Sequence, residues 1–223
     1  GNDFGTFNLL QYSEEFDNAS WSLNNVSIKP NFIASPTENF TADKLIAEAG
    51  LSTDSVIYQT GKSTTAGSDY VFSVYAKKST HDYIQLTNIN CNSSSTSANF
   101  NLATGVKGST QNSVSTIESV GNGWYRCSMI FTAQNTVSNA AFYITLAASA
   151  SAVRFEKWSP VGGESVYLWG AQLEESSTAT PYVKSDVTWT SRGSNATYYD
   201  KDGVLRKSSY NNIVYSEDFS QVD

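Results

Sequence analysis

The single histidine, His81, sits in Ser79-Thr80-His81-Asp82, a polar stretch between two strand-like runs. As a general base it would need a nucleophile within hydrogen-bond reach and a third group to orient it. Neighbours in sequence do not provide that, so a Ser-His-Asp triad would have to be assembled from distant segments, and a solvated turn histidine is the simpler reading. The carboxylate clusters are Glu14-Glu15 and Glu174-Glu175. Adjacent strand residues point to opposite faces, so neither pair can flank a glycosidic bond; only carboxylates from different strands could. Lys62, in Thr60-Gly61-Lys62-Ser63-Thr64, lacks the upstream glycine of a phosphate loop and reads as part of a polar loop. The sequence holds no Gly-x-Ser-x-Gly elbow, no His-Glu-x-x-His and no metal-spaced Cys/His set. The expectation is a protein that is not an enzyme, with polysaccharide depolymerase kept as a remote alternative.

Binding a sugar asks for different groups: aromatic faces to lie against the apolar side of a pyranose, and planar hydrogen-bonding side chains beside them. Period-2 alternation sorts the strand-like runs into two parities. Tyr70, Phe72, Val74 and Ala76 fall on one parity, as do Ile84 and Leu86, then Tyr125, Cys127, Met129 and Phe131, then Phe142, Ile144 and Leu146. These are the expected core. The opposite parity carries Tyr75 and Lys77, Tyr83 and Gln85, Trp124 and Arg126, and Tyr143 and Thr145. If those strands share a sheet, its outer face holds aromatics interleaved with polar side chains. The candidate ligand-binding residues are therefore Tyr75, Tyr83, Gln85, Trp124, Arg126 and Tyr143. The same face would serve equally as a protein contact. Trp158 and Trp169 read as buried structural residues.

The elements that must position these residues are short alternating runs separated by Ser/Thr/Asn/Gly clusters, the pattern of an all-β sandwich or barrel. The clearest are 69–78, 83–89, 97–102, 124–133, 141–147 and 166–173, with 62–68, 92–96, 104–111 and 159–164 as loops. Residues 41–49 alternate tolerably and are read as strand rather than helix. Cys127 points inward while Cys91 falls at a strand end on the opposite parity, which argues against a disulfide.

Lys and Arg number 14 against 21 Asp and Glu, a formal charge of −7, which disfavours a surface that must neutralise phosphates. Nucleic acid is not an expected partner. Nor is a membrane, because no run of 18 or more apolar residues occurs; the first residues, Gly1 to Gly5, have neither the basic nor the apolar region of a signal peptide.

An internal repeat organises the ends of the chain. Asn8-Leu-Leu-Gln-Tyr-Ser-Glu-Glu-Phe16 matches Asn211-Asn-Ile-Val-Tyr-Ser-Glu-Asp-Phe219 with five identities, at an offset of 211 − 8 = 203 residues. Residues 211–223 are read as the start of a second repeat. Between them, residues 185–210 contain Asp202-Gly203 flanked by strand-like residues, a hairpin signal. The expected organisation is a linker at 1–7, a module at 8–184, a β-hairpin linker at 185–210 and the new repeat at 211–223.

Together Asn8-Leu-Leu-Gln-Tyr-Ser-Glu-Glu-Phe16 with Trp21, Thr41-Ala-Asp-Lys-Leu45, Tyr70-Val-Phe-Ser-Val-Tyr75, Gly121-Asn-Gly-Trp-Tyr-Arg126 and Val166-Tyr-Leu-Trp-Gly-Ala-Gln-Leu-Glu174 resemble modules of bacteriophage fibre and spike proteins. Those modules are similar to family 4/9 carbohydrate-binding modules. The resemblance implies an antiparallel two-sheet jelly-roll β-sandwich, exposed on a virion surface or otherwise extracellular. It also implies a polysaccharide or glycan ligand, neighbouring modules in the same chain and a homo-oligomeric fibre. A structural spacer or decoration module without a ligand is the alternative. Related sugar-binding jelly rolls often hold a structural calcium through an acidic residue of the last strand, where this chain reads Leu168-Trp-Gly-Ala-Gln172. Glu14, Asp17 and Glu174 remain as oxygen donors or as ordinary surface carboxylates, and no cofactor or metal ligand is assigned.

Overall fold

The computed structural model describes residues 7–185, together with the backbone of two short strands at 197–199 and 205–207. The readings of 1–6 and of 211–223 lie outside the described residues. The chain divides into one unit ending at Asp186 and a second from Val187 onward.

Twelve strands build the first unit: β1 Ser22–Asn24, β2 Val26–Ile33, β3 Ala42–Ala47, β4 Val56–Thr64, β5 Asp69–Lys78, β6 Tyr83–Ile89, β7 Ser97–Asn101, β8 Val106–Gln111, β9 Val114–Gly121, β10 Trp124–Thr132, β11 Val137–Leu146 and β12 Ser165–Glu175. They form two six-stranded sheets. Sheet A has the order β1-β4-β11-β6-β7-β8 and sheet B the order β2-β3-β12-β5-β10-β9. All pairings within both sheets are antiparallel. The architecture is the antiparallel two-sheet sandwich expected from the sequence. In the second unit, β13 Thr197–Tyr199 pairs antiparallel with β14 Leu205–Lys207, on either side of Asp202-Gly203.

The inward parity is the one that alternation selects. Phe72, Val74 and Ala76 of β5, Ile84 and Leu86 of β6, Cys127 and Met129 of β10, and Phe142 and Ile144 of β11 all lie in one buried cluster. Phe72 and Phe142 meet edge to face across the two sheets, centroids 5.4 Å apart, a geometry that adds to their burial. Tyr125, at the end of its strand, is only partly buried against the cluster.

Three readings need correction. Residues 104–111 are not a loop throughout, because Val106–Gln111 is β8, and the polar stretch around Lys62 is the second half of β4. Burial of Lys62 lowers its ammonium pKa to about 8. Cys91 does not face away from the core: both thiols are free and buried in it, and burial pushes the Cys91 thiol up to about 11.

A clip closes the sandwich. Residues 8–16 run along the last strand and the segment after it. Asn8 Nδ2 donates to the carbonyls of Ala171 (2.9 Å) and Val183 (3.0 Å), Leu9 N to Leu173 O (2.8 Å), and Ser13 N to Ser185 O (2.8 Å). Leu10 and Phe16 are buried in the core. Asp43 of β3 fastens the far end, accepting from Phe16 N and Asn31 N at 2.8 Å each. Burial there outweighs the two hydrogen bonds and raises its carboxyl to about 6.

Candidate functional site

The six candidate residues divide between two faces that point in opposite directions. Tyr75 of β5 and Trp124 and Arg126 of β10 lie on the outer face of sheet B; Tyr83 and Gln85 of β6 and Tyr143 of β11 lie on that of sheet A. The single surface expected from alternation therefore does not exist. Alternation placed each of them outward correctly, but consecutive strands β5 and β6 enter different sheets.

The outer face of sheet B is largely closed. Trp124 and Trp169 are only 1% and 5% exposed, packed with Ala42, Ile33, Tyr75, Tyr167 and Tyr182. The Trp124 indole N–H donates to Ala34 O (3.2 Å) and that of Trp169 to Thr41 Oγ1 (3.1 Å), so the segment between β2 and β3 folds over both rings. Tyr182 covers the other side, its ring 4.8 Å from Trp169. Gly170 makes this possible. Its φ of +59° forms a bulge between Trp169 and Gln172, and a Cβ there would lie 3.1 Å from Tyr75 Cδ2. Arg126 lies over Tyr75 (5.6 Å) and donates to Ser73 Oγ (3.3 Å), almost fully buried. Trp124 and Arg126 are thus covered residues and not an open stacking platform. At the edge of this face Phe32 stacks on Tyr167 (6.0 Å) beneath Lys44, beside a 560 Å³ depression lined in part by Glu38, Lys77 and Asn122.

Sheet A presents a more open arrangement. Tyr143 lies directly opposite Tyr58 of β4 in the ladder, and the rings stack at 4.6 Å and 21°. The segment after β11 turns back across this face as a strap. Asn99 of β7 donates to Ala152 O (2.8 Å), and Gln85 donates to Val153 O (3.1 Å) while accepting from Phe155 N (3.1 Å). Gln111 Oε1 receives Arg154 N (3.1 Å). These amides hold Phe155 at φ +55°, a left-handed conformation rare for an aromatic residue. Its ring stands edge-on to Tyr143 at 5.0 Å, and Arg154 lies over it at 5.4 Å. Tyr58, Tyr143, Arg154 and Phe155 are all half-exposed. Burial, with Tyr58 beside it, raises the Tyr143 phenol above its ordinary value, while Arg154 lowers it. Tyr143 stays a neutral hydrogen-bonding ring at physiological pH.

The remaining candidates take supporting places. Gln85, 1% exposed, is fully engaged in holding the strap, so it positions other groups and offers no free amide to a ligand. Tyr83 lies at the end of β6 against His81, rings 6.1 Å apart. Alternation could not find Arg154 and Phe155, because the strap has no period. Tyr58 was legible as an aromatic in β4 only once that strand is recognised.

Next to Arg154 the same face opens into a 460 Å³ depression lined by Asn90, Asn92, Asn135, Asn139, Ser93, Ser94 and Ser95. Its amides are pinned to backbone: Asn90 Nδ2 to Asn139 O, Asn135 Nδ2 to Asn90 O, each 3.0 Å. Asn139 and Tyr143 lie on one parity of β11, outward from Ala140 and Phe142 in the core. Four residues of strand separate them, about 13 Å.

The hydrolytic candidates are otherwise engaged. His81 Nε2 meets Ala147 O at 2.8 Å, and burial lowers its pKa. Glu174 is fully buried and not a surface carboxylate, accepting from Thr180 N and Oγ1 and from Gln172 Nε2. Glu14 accepts from Tyr182 OH and pairs with Lys184 at 3.6 Å. Both Glu174 oxygens therefore already accept hydrogen bonds. Among the described residues no group of three His, Cys, Asp or Glu side chains is placed to hold a metal.

No protein-family model and no curated protein matches the sequence. Among solved structures, the chain is similar to the enzymatically active domain of bacteriophage CBA120 tailspike protein 4 (14% identity, TM-score 0.45, 74% of this chain and 21% of that one). It is similar to TmCBM61 in complex with β-1,4-galactotriose (8% identity, TM-score 0.42, 76% and 99%). A CBM4 structure aligns at 12% identity and TM-score 0.40, over 70% and 95%. The chain spans about a fifth of the length of the tailspike chain.

Proposed function

We propose that this protein is a non-catalytic glycan-recognition module and that its ligand lies along the outer face of sheet A, across Tyr58, Tyr143 and Phe155 and into the Asn/Ser depression. The observation that carries this reading is the half-exposed stack of Tyr58 on Tyr143 beside a polar hollow. Aromatic faces beside a few fixed polar groups suit a sugar, which has an apolar ring face and a rim of hydroxyls. The repeat of residues 8–16 at 211–219 supports a place in a chain of such modules, on a virion surface or in another extracellular fibre. There each module would meet neighbours of the same chain and copies of it.

Isothermal titration against a panel of neutral and acidic polysaccharides tests the reading. Tyr143→Ala and Tyr58→Ala should each weaken binding about tenfold, in line with roughly 1–2 kcal/mol for loss of a contact ring. Unchanged binding in both would move the ligand elsewhere. Absence of binding to every glycan would favour the spacer reading, in which sheet faces serve only contacts within the fibre.

A further inference from the structure

From the setting of Arg154 we infer that the sheet A site takes a carboxylate-bearing glycan, whose acid group docks on this guanidinium at the mouth of the Asn/Ser depression. The inference rests on the proposed glycan reading and adds the class of sugar.

Arg154 comes from an irregular strap, yet it is held from several sides. Its backbone N–H is bound by Gln111 Oε1 at 3.1 Å, its Nη1 donates to Asn88 O at 3.1 Å, and its guanidinium lies over Phe155 at 5.4 Å. A guanidinium carries five N–H donors in a rigid fork, and the Asn88 carbonyl takes one of them. Arg154 is half-exposed and lines the depression. It is the sole charged residue of that lining; the rest are Asn, Ser, Ile and Val. Neither ion pair among the described residues involves it. The nearest acid in sequence, Glu156, accepts from Val153 N within the strap (3.1 Å).

A cation fixed at the edge of a carboxylate-free, amide-rich hollow matches a planar anion flanked by hydroxyls. The guanidinium fork accepts a carboxylate through two parallel hydrogen bonds, and partial burial keeps that pair from being fully screened. The chain as a whole is negative, at −7, so a nonspecific polyanion would be repelled. The local cation gives such a ligand one place to engage. Phe155 links the two groups, its ring 5.0 Å from that of Tyr143 and 5.4 Å from the Arg154 guanidinium, so one ligand can contact both.

The test uses uronate- and sialate-containing oligosaccharides, each beside its carboxyl-reduced form, with a sulfated neutral oligosaccharide as a third arm. Affinity should be highest for at least one carboxylated ligand and fall about tenfold on carboxyl reduction. Arg154→Gln should abolish that preference while leaving thermal unfolding nearly unchanged, and Arg154→Lys should restore part of it. Tyr143→Ala should weaken acidic and reduced forms alike. Equal or tighter binding of the reduced forms, or an unchanged preference in Arg154→Gln, overturns the inference and leaves the glycan reading standing. Stronger binding of the sulfated arm than of any carboxylate also overturns it. Failure of every ligand to bind removes both.

Discussion

The two outer faces of this sandwich are built from similar residues and end in opposite states. Sheet B carries two tryptophans, two tyrosines and an arginine, and the segment 34–41 with Tyr182 folds over them until Trp124 is 1% exposed. Sheet A carries the tyrosines Tyr58, Tyr83 and Tyr143, and the strap that crosses it stops short of covering Tyr58 and Tyr143. The difference lies in what each covering segment contributes. On sheet B the cover accepts the indole N–H groups and completes a small second core. On sheet A the cover is held by amides and leaves its own Phe155 and Arg154 beside the open rings. An aromatic on an outer face therefore becomes core or contact surface according to the irregular segment laid over it.

The sharpest way to break this contrast is Trp124→Ala. It should destabilise the module by about 3–5 kcal/mol, comparable with Phe72→Ala, because a fully packed ring is lost. Glycan binding per folded molecule should be unchanged. Urea unfolding measures the first and titration the second; a mild loss of stability would mean that sheet B is open after all.

Next in size is the pH response of Asp43, beneath the same covered sheet. Its carboxyl sits at about 6 against an ordinary value of 3.8, so the folded state binds the proton more tightly than the unfolded chain does. Its contribution to stability is complete below about pH 4 and is lost as pH rises through 6, up to about 3 kcal/mol. Unfolding curves from pH 4 to 7 should show this slope, and Asp43→Asn should flatten it. A slope of the opposite sign would show that the hydrogen bonds from Phe16 and Asn31 outweigh burial.

Gln85→Ala probes the strap. Losing its bonds to Val153 and Phe155 should cost about 1–3 kcal/mol and weaken ligand binding as well, because Arg154 and Phe155 lose their support. Stability lost with affinity retained would separate the strap from the site. The smallest effect on stability belongs to Tyr143→Ala, at most about 1 kcal/mol for a half-exposed ring, accompanied by the tenfold loss of affinity stated above. Differential scanning calorimetry distinguishes it from Trp124→Ala directly.

Inside and outside were legible from local pattern; sheet membership was not. β5 and β6 could be bounded from sequence because each alternates cleanly, with a core residue at every second position. Edge strands such as β8, Val-Lys-Gly-Ser-Thr-Gln, have little to bury and leave no such mark. Which strands are neighbours is fixed by pairings distant in sequence, such as Tyr58 with Tyr143, and no local period encodes them. The six candidate residues accordingly divide three and three between the two faces. The bulky parities around Trp169 become intelligible only with the bulge at Gly170.

The clip has a mechanical consequence. Leu9 bonds to Leu173 and Ser13 to Ser185, so the chain comes in and goes out of the module at one corner. Tension applied to the two ends of residues 8–185 would load those few hydrogen bonds and the seats of Leu10 and Phe16, and would not shear the two sheets across one another. The clip would yield by peeling, one contact after another, at lower force than a shear geometry needs. Of the residues repeated at 211–219, Asn8, Ser13 and Phe16 are the buried anchors of this clip. Under tension it is this joint that would give first, leaving the sandwich and its sheet A face intact.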